Sequence, residues 1–137
     1  MNGKGWAFGF STAVVLAITG ACATQTFTTP SGLIYTVTRK GSGPAARPGQ
    51  HVLIHETTTF SDGRVHYTTR TNGRPLRFLL GGKQVIDGVD EGVTGMRVGE
   101  RRMMVVPPHL SRRSAYPDGL SPDETLHYDV ELVGIEP

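Results

Sequence analysis

Residues 80–110 read LGGKQVIDGVDEGVTGMRVGERRMMVVPPHL, and three elements follow one another in that stretch. A Gly81-Gly82 turn releases a short amphipathic helix that ends near Gly95. A second turn at Val98-Gly99 leads into a strand over residues 100–106. Pro107-Pro108 stops it, because proline has no N–H to give a ladder. Val85, Ile86, Val89 and Val93 recur at spacings of 1, 3 and 4, which places them on one apolar face of the helix. Asp87, Asp90 and Glu91 fall between them and are expected to face water. Gly88 and Gly92 sit inside the helix at a cost of ~1 kcal/mol each relative to Ala. Packing has to hold such a helix, and glycine admits the close approach of a neighbour.

Working outward, the rest of the chain reads as strands and turns. Residues 33–40 alternate as Leu-Ile-Tyr-Thr-Val-Thr and predict a strand, followed by a Gly/Pro-rich loop over 41–49. Residues 51–60 are rich in β-branched side chains and predict a second strand, and Ser61-Asp62-Gly63-Arg64 is a hairpin turn signal. A short strand or irregular edge over 64–69, a turn at Asn72-Gly73-Arg74 and a strand over 75–80 come next. After the central stretch, a long loop over 107–124 precedes a last strand over 125–135. One helix among this many strands predicts an α+β fold: a curved antiparallel β-sheet of five to six strands folded over one short α-helix.

The 137 residues divide into a targeting segment (1–23), a Thr/Pro/Ser linker (24–31) and one domain (32–137). Fourteen basic against 12 acidic residues give a net charge of +2, too even for the basic stripe that nucleic-acid recognition needs. Arg101-Arg102 and Arg112-Arg113 are local pairs and are expected to be solvated surface. Cys22 is the one cysteine, so an internal disulfide and a Cys-rich zinc site are excluded. Lys4, an apolar run over 6–18 and the small residues Gly20-Ala21-Cys22-Ala23 read as an export signal. Two processing routes fit. Ala21-Cys22-Ala23 suits cleavage to a soluble secreted protein. Ile18-Thr19-Gly20-Ala21-Cys22 is similar to a lipoprotein box, in which the Cys22 thiol is lipidated. The position of the lone cysteine at the end of the apolar run favours lipidation, and an uncleaved anchor is the third reading. The expected location is the periplasm, at the membrane through that lipid. Folding assistance outside the cytoplasm has to work without ATP.

The order L-G-x-x-x-V-I-x-G-x-x-E-G-V-x-G-M-x-V-G-E-R-R, a strand, then V-P-P-H-L, resembles the FKBP-type peptidyl-prolyl isomerases. The likeness extends upstream through Gly49 to His55, Asp62-Gly63 and Pro75 to Phe78, and downstream through Asp118 to Pro122 and Thr125 to Leu132. It implies an isomerase of X-Pro bonds acting on proline-containing polypeptides, with no cofactor. Such a reaction needs no acid, base or nucleophile. The amide resists rotation by ~18–20 kcal/mol because resonance keeps it planar. The twisted state loses that resonance and is less polar, so a dry apolar pocket favours it over the planar one.

The resemblance also implies a pocket. Val85 and Ile86 match the start of the helix, where the Ile backbone N–H serves as donor to the substrate carbonyl. Tyr128 stands where a Phe lines the site from the last strand, Phe78 keeps an aromatic, Leu76 stands for a Phe and Leu120 matches an apolar loop residue. Five positions depart: Glu56 replaces a Tyr, His66 and Tyr67 replace a Phe-Asp pair at the rim, Val89 replaces the floor Trp, and Arg112 replaces a loop Tyr. Tyr116 is placed to refill part of that last gap. These departures imply activity that is weak or altered in specificity. The rival reading is a non-catalytic module that binds a peptide or partner in the same fold.

Other constellations are weaker. His51 and His55 lie four apart on a strand, ~13 Å of rise, too far to share a metal. Gly81-Gly82-Lys83 continues into Gln84 and lacks the spacing of a phosphate loop. Met103-Met104 is expected to put one side chain in the core and one outward.

Overall fold

Alternation along two long strands organises the molecule. The computed structural model describes residues 24–137. In strand β3 (His51–Thr59) every second residue, Val52, Ile54, Glu56 and Thr58, turns inward. Strand β7 (Leu126–Glu136) buries Leu126, Tyr128, Val130 and Leu132 in the same way. The two run antiparallel from His51↔Glu136 to Thr59↔His127, so their inward rows merge into one apolar face. Between or beside them lie β1 (Gln25–Thr28), β2 (Ile34–Arg39), β4 (Val65–Thr68), β5 (Leu76–Leu79), helix α1 (Asp87–Val93) and β6 (Arg101–Val106). The sheet order is β1-β2-β6-β7-β3-β4, and β5 pairs with the first half of β3 while β4 pairs with the second. A short 3-10 turn, Pro108–Leu110, follows β6.

The α+β plan expected from the sequence is the one found, with seven strands. The seventh is β1, which lies inside the stretch read as a linker. Gln25–Thr28 pairs with β2 from Gln25↔Val37 to Thr28↔Ile34, and Phe27 stacks on Tyr35 at 5.1 Å between ring centroids. All four of its residues are exposed, so ladder bonds, that stack and a hydrogen bond between the Thr26 and Thr36 hydroxyls at 2.7 Å hold it, and no apolar alternation marks it in the sequence.

Helix α1 is shorter than its apolar periodicity predicts. Val85 and Ile86 precede it, Ile86 being its N-cap in an extended conformation (φ −60°, ψ 151°). The start is delayed because residues 80–85 are bound up in a turn. Lys83 has φ +60°, the Leu79 N–H donates to the Gln84 side chain at 2.8 Å, and the Gly81 N–H donates to Asp90 at 2.7 Å. Asp90 and Glu91, expected to face water, are half-buried and bonded, Glu91 accepting from the Ser31 hydroxyl at 2.7 Å. Asp87 is exposed. The helix ends at Thr94, and Gly95 (φ +86°) turns the chain away.

With seven residues α1 cannot be stable alone. It is held by burying Gly88, Val89, Gly92 and Val93, with the two glycines lying against β6. A Cβ on Gly88 would lie 2.5 Å from Val106 Cγ1, and one on Gly92 would overlap the Met104 sulfur. Met104 is buried and Met103 is exposed, as their alternation predicts. The same alternation overturns the reading of Arg101-Arg102 as a solvated pair. Arg101 faces outward and pairs with Asp129. Arg102 turns inward and is 7% exposed. Its guanidinium lies 4.4 Å over the Tyr35 ring, donates to the Gly92 carbonyl at 3.0 Å and sits 2.7 Å from Glu100.

Gly88→Ala should therefore destabilise the chain by about 1–3 kcal/mol, the usual cost of overpacking a stiff core neighbour, even though alanine favours helix. Gly92→Ala should cost less, because Met104 is flexible. Urea unfolding of both variants checks the order. A Gly88→Ala chain as stable as the parent would mean the helix does not rest on Val106.

Candidate functional site

One end of the inward face is where the resemblance places the substrate. Tyr128, on β7, is 4% exposed there, and across the ladder from it lies Thr58, on β3. Two residues back along β3 the row continues with Glu56, opposite Val130. Phe60 extends it the other way and meets the His66 ring edge-on at 5.3 Å. Tyr67, opposite Thr58 on the other side, is 47% exposed and stands at the rim, with His66 half-buried beside it. Val85, Ile86, Leu76 and Tyr116 are half-buried and pack against the core. Phe78 (2%), Val89 (2%) and Leu120 (6%) are buried in it, so they serve as backing for the site more than as its walls.

The Ile86 N–H is distinctive. The Ile86 carbonyl accepts from Val89 and Asp90 at the start of α1, while its own N–H finds no acceptor among the described residues. It is therefore available as a donor, at a point the helix start fixes rigidly.

Arg112 is not the loop residue that enters. It is exposed, and with Pro108, His109, Arg113, Tyr116, Pro122 and Asp123 it lines a groove of about 460 Å³. Its neighbour Arg113 turns inward and donates from Nη2 to the Tyr128 hydroxyl at 3.1 Å. The Arg113 Nε is buried and has no acceptor. Arg113, Thr58 and Phe60 are the site residues that sequence reasoning missed. Thr58 and Phe60 continue the period-2 row of Val52, Ile54 and Glu56, which was a usable signal. For Arg113 no signal distinguished it from Arg112. A larger hollow, about 740 Å³ and lined by Tyr35, Arg39, Arg97 and Arg102, belongs to the other end of the sheet and shares no residue with this site.

Electrostatically the site is centred on Glu56. Its backbone is pinned: its N–H donates to Thr69 Oγ1 at 2.9 Å and its carbonyl accepts from the Thr69 N–H at 3.0 Å. The residue is 8% exposed and, among the described residues, its carboxyl receives no hydrogen bond. Burial pushes the carboxyl from 4.5 up to about 7, against a downward pull from the Arg113 charge. Burial also raises the Tyr128 phenol above its ordinary range. No cluster of three His, Cys, Asp or Glu residues suited to a metal occurs among the described residues.

The sign of the resulting pH dependence follows from the raised value. Between pH 4.5 and about 7 the folded chain keeps a proton on Glu56 that the unfolded chain has released, so stability falls as pH rises through that window. Glu56→Gln removes the effect. At ~1.4 kcal/mol per pKa unit, the variant should gain about 3 kcal/mol on the parent between acid and pH 8. Parallel unfolding curves at both pH values measure it, and a difference independent of pH would show the carboxyl to be solvated.

Comparison with known proteins agrees with this fold. Residues 43–133 match the family model of the FKBP-type peptidyl-prolyl cis-trans isomerases. The chain is 41% identical over 99 residues to an FK506-binding protein of Streptomyces anulatus, covering 70% of this chain and 80% of that one. It is 40% identical over 107 residues to FK506-binding protein 4 of Mycosarcoma maydis, covering 78% of this chain but only 28% of that longer one. The crystal structure of FkpA from Escherichia coli superposes with a TM-score of 0.73 at 35% identity, over 82% of this chain and 52% of that chain. The chain thus spans about a quarter to four fifths of the length of these relatives. It belongs to the FKBP-type peptidyl-prolyl cis-trans isomerase family.

Proposed function

We propose that the chain is an active peptidyl-prolyl cis–trans isomerase that assists the folding of exported proteins, with activity that is weak or shifted in specificity. The observation that carries this reading is the unpartnered Ile86 N–H at the start of α1, in a residue that, like Val85 and Leu76, packs half-buried against the core cluster containing Tyr128. A donor there can hold the carbonyl of the residue before proline while the proline ring rests on apolar surface. Desolvation then favours the twisted amide, which has lost its resonance and much of its polarity. Weak or shifted activity is supported by the polar groups at the same place: Glu56 in the row that faces the site, and Arg113 over Tyr128. Those same groups favour the second reading, a module that binds a peptide without turning it over.

Slow refolding of a proline-limited substrate protein separates the two. Uncatalysed exchange takes roughly tens to hundreds of seconds, and micromolar chain should shorten that phase. Ile86→Pro is the informative variant, since its φ of −60° already suits proline and only the free N–H is lost with the side chain. It should lower kcat/KM about tenfold, the size of one well-placed donor. Ile86→Ala, which keeps the N–H, should lose less. An unaccelerated slow phase with the parent chain leaves the binding module as the reading.

The exported location rests on residues 1–23 and Cys22, which lie outside the described residues. The apolar run ending in a lone cysteine supports lipid anchoring at Cys22. Among the described residues no helix is long and apolar enough to cross a membrane. Cys22→Ser should move the chain from the membrane fraction to the soluble one, and an unchanged distribution rejects lipidation.

A further inference from the structure

We infer that Glu56 makes this site selective for peptides with a lysine or arginine next to the proline, the peptide's cation taking the place of the Arg113 guanidinium. The inference rests on the proline-peptide reading of the site and specifies its substrate.

Three observations carry it. First, Glu56 is 8% exposed as a residue and its carboxyl accepts no hydrogen bond among the described residues, although its own backbone is fully bonded. A buried acceptor without a donor is a costly arrangement, and a ligand that supplies the donor relieves the cost. Second, the nearby positive charge is not well used. Arg113 gives Nη2 to the Tyr128 hydroxyl and leaves Nε buried without an acceptor, and no direct ion pair joins it to Glu56. Third, the two groups are held differently. Glu56 stands in the middle of β3, paired on one side to β7 and bonded on the other to Thr69. Arg113 comes from a loop whose residues Arg112, Ser114 and Ala115 are exposed, and a single side-chain hydrogen bond holds it at the site. A peptide cation can displace such a residue and pair with a carboxylate that does not move.

The apolar part of the site remains for the proline ring, on Tyr128, Leu76 and Ile86. A neutral side chain beside proline leaves Glu56 as it was. A basic one satisfies it, and a charge-assisted bond in a dry site is among the stronger single contacts available.

The test compares isomerisation of Ala-Lys-Pro-Phe and Ala-Ala-Pro-Lys with the same peptides carrying acetyl-lysine, using the full chain at pH 8 and exchange spectroscopy. Acetylation removes the charge and keeps the stem. In at least one of the two positions kcat/KM for the lysine peptide should exceed that for its acetylated form about tenfold, as expected for one hydrogen bond to a charged group. The ratio should fall to about one in Glu56→Gln and widen in Arg113→Gln, which removes the competing cation. It should also shrink at pH 6 in the parent chain, where the carboxyl takes up a proton. The groups that face Glu56 are Arg113 from the loop and Tyr128 from β7, with His66 at the rim on β4. A pH effect that survives in Glu56→Gln does not come from the carboxyl and counts against the inference. Equal rates for charged and acetylated peptides in both positions overturn it, whether or not the variants fold. Absence of turnover for every peptide would refute the isomerase reading instead. The same pairs are then compared by Kd in a chemical-shift titration, where equal values overturn the selectivity as well.

Discussion

Gly88 and Gly92, one helical turn apart, let α1 lie against β6 at a distance no larger residue allows, and the position of the site follows from that approach. Val106 and Met104 fill the space where two Cβ atoms would stand. Because α1 has only seven residues, its axis is set by this contact and not by its own hydrogen bonds. Its N-terminus is therefore placed by β6, and Ile86, the N-cap, brings an unpartnered N–H with it. The helix that carries a helix-propensity penalty is in this way also the helix with the least freedom to drift.

At the opposite end of α1 the arrangement is held by charge. The carbonyl of Gly92 lies near the negative end of the helix, and Arg102 reaches it from β6 at 3.0 Å. The same guanidinium lies over the Tyr35 ring and beside Glu100. Burying a cation is tolerable where an anion, a carbonyl and an aromatic face surround it, and all three are present. Strand β6 thus contacts α1 with a valine, a methionine and an arginine at residues 106, 104 and 102, three successive inward positions of one alternation. By contrast, the outward face carries exposed pairs such as Arg39–Glu131 and Arg70–Glu131, which contribute little to stability.

Most of the fold was legible because it depends on periodicity. The rows of β3 and β7, the turn glycines and the proline stop after β6 each have a local cause that is visible in residue order. What was not legible depends on partners distant in sequence. Strand β1 is recognised only by its ladder to β2. The late start of α1 follows from bonds between the turn and Asp90, eleven residues from the nearest strand end, which no apolar pattern encodes. Arg102 could have been placed inside by extending the alternation of Met104 and Val106, but its charge argued for the surface until Gly92, Glu100 and Tyr35 were seen around it. In the site the strand residues were readable in the same way, and the choice between Arg112 and Arg113 was not. Both lie in a loop with no period, so only the position of the Tyr128 hydroxyl decides which one turns inward.

Glu56 is the residue at which the scaffold and the proposed chemistry are in tension. A site that lowers the barrier by being less polar than water gains nothing from a carboxylate in its inner row. Protonation reduces the conflict, and the rise of the carboxyl to about 7 is the thermodynamic expression of it: burial makes the neutral form the easier one to hold. Arg113 reduces the conflict in another way, by supplying a counter-charge without closing a bond to it. Neither solution satisfies the carboxyl completely, because a proton leaves the Arg113 charge uncompensated and the Arg113 charge alone leaves the carboxyl oxygens without donors. A single added cation with N–H groups to give would satisfy the carboxyl and free Arg113 for the solvent from which its loop already projects. On the proposed reading the polar pair acts against binding an apolar peptide and in favour of binding a basic one, so the same two side chains that would weaken a general prolyl site are suited to discriminate within it.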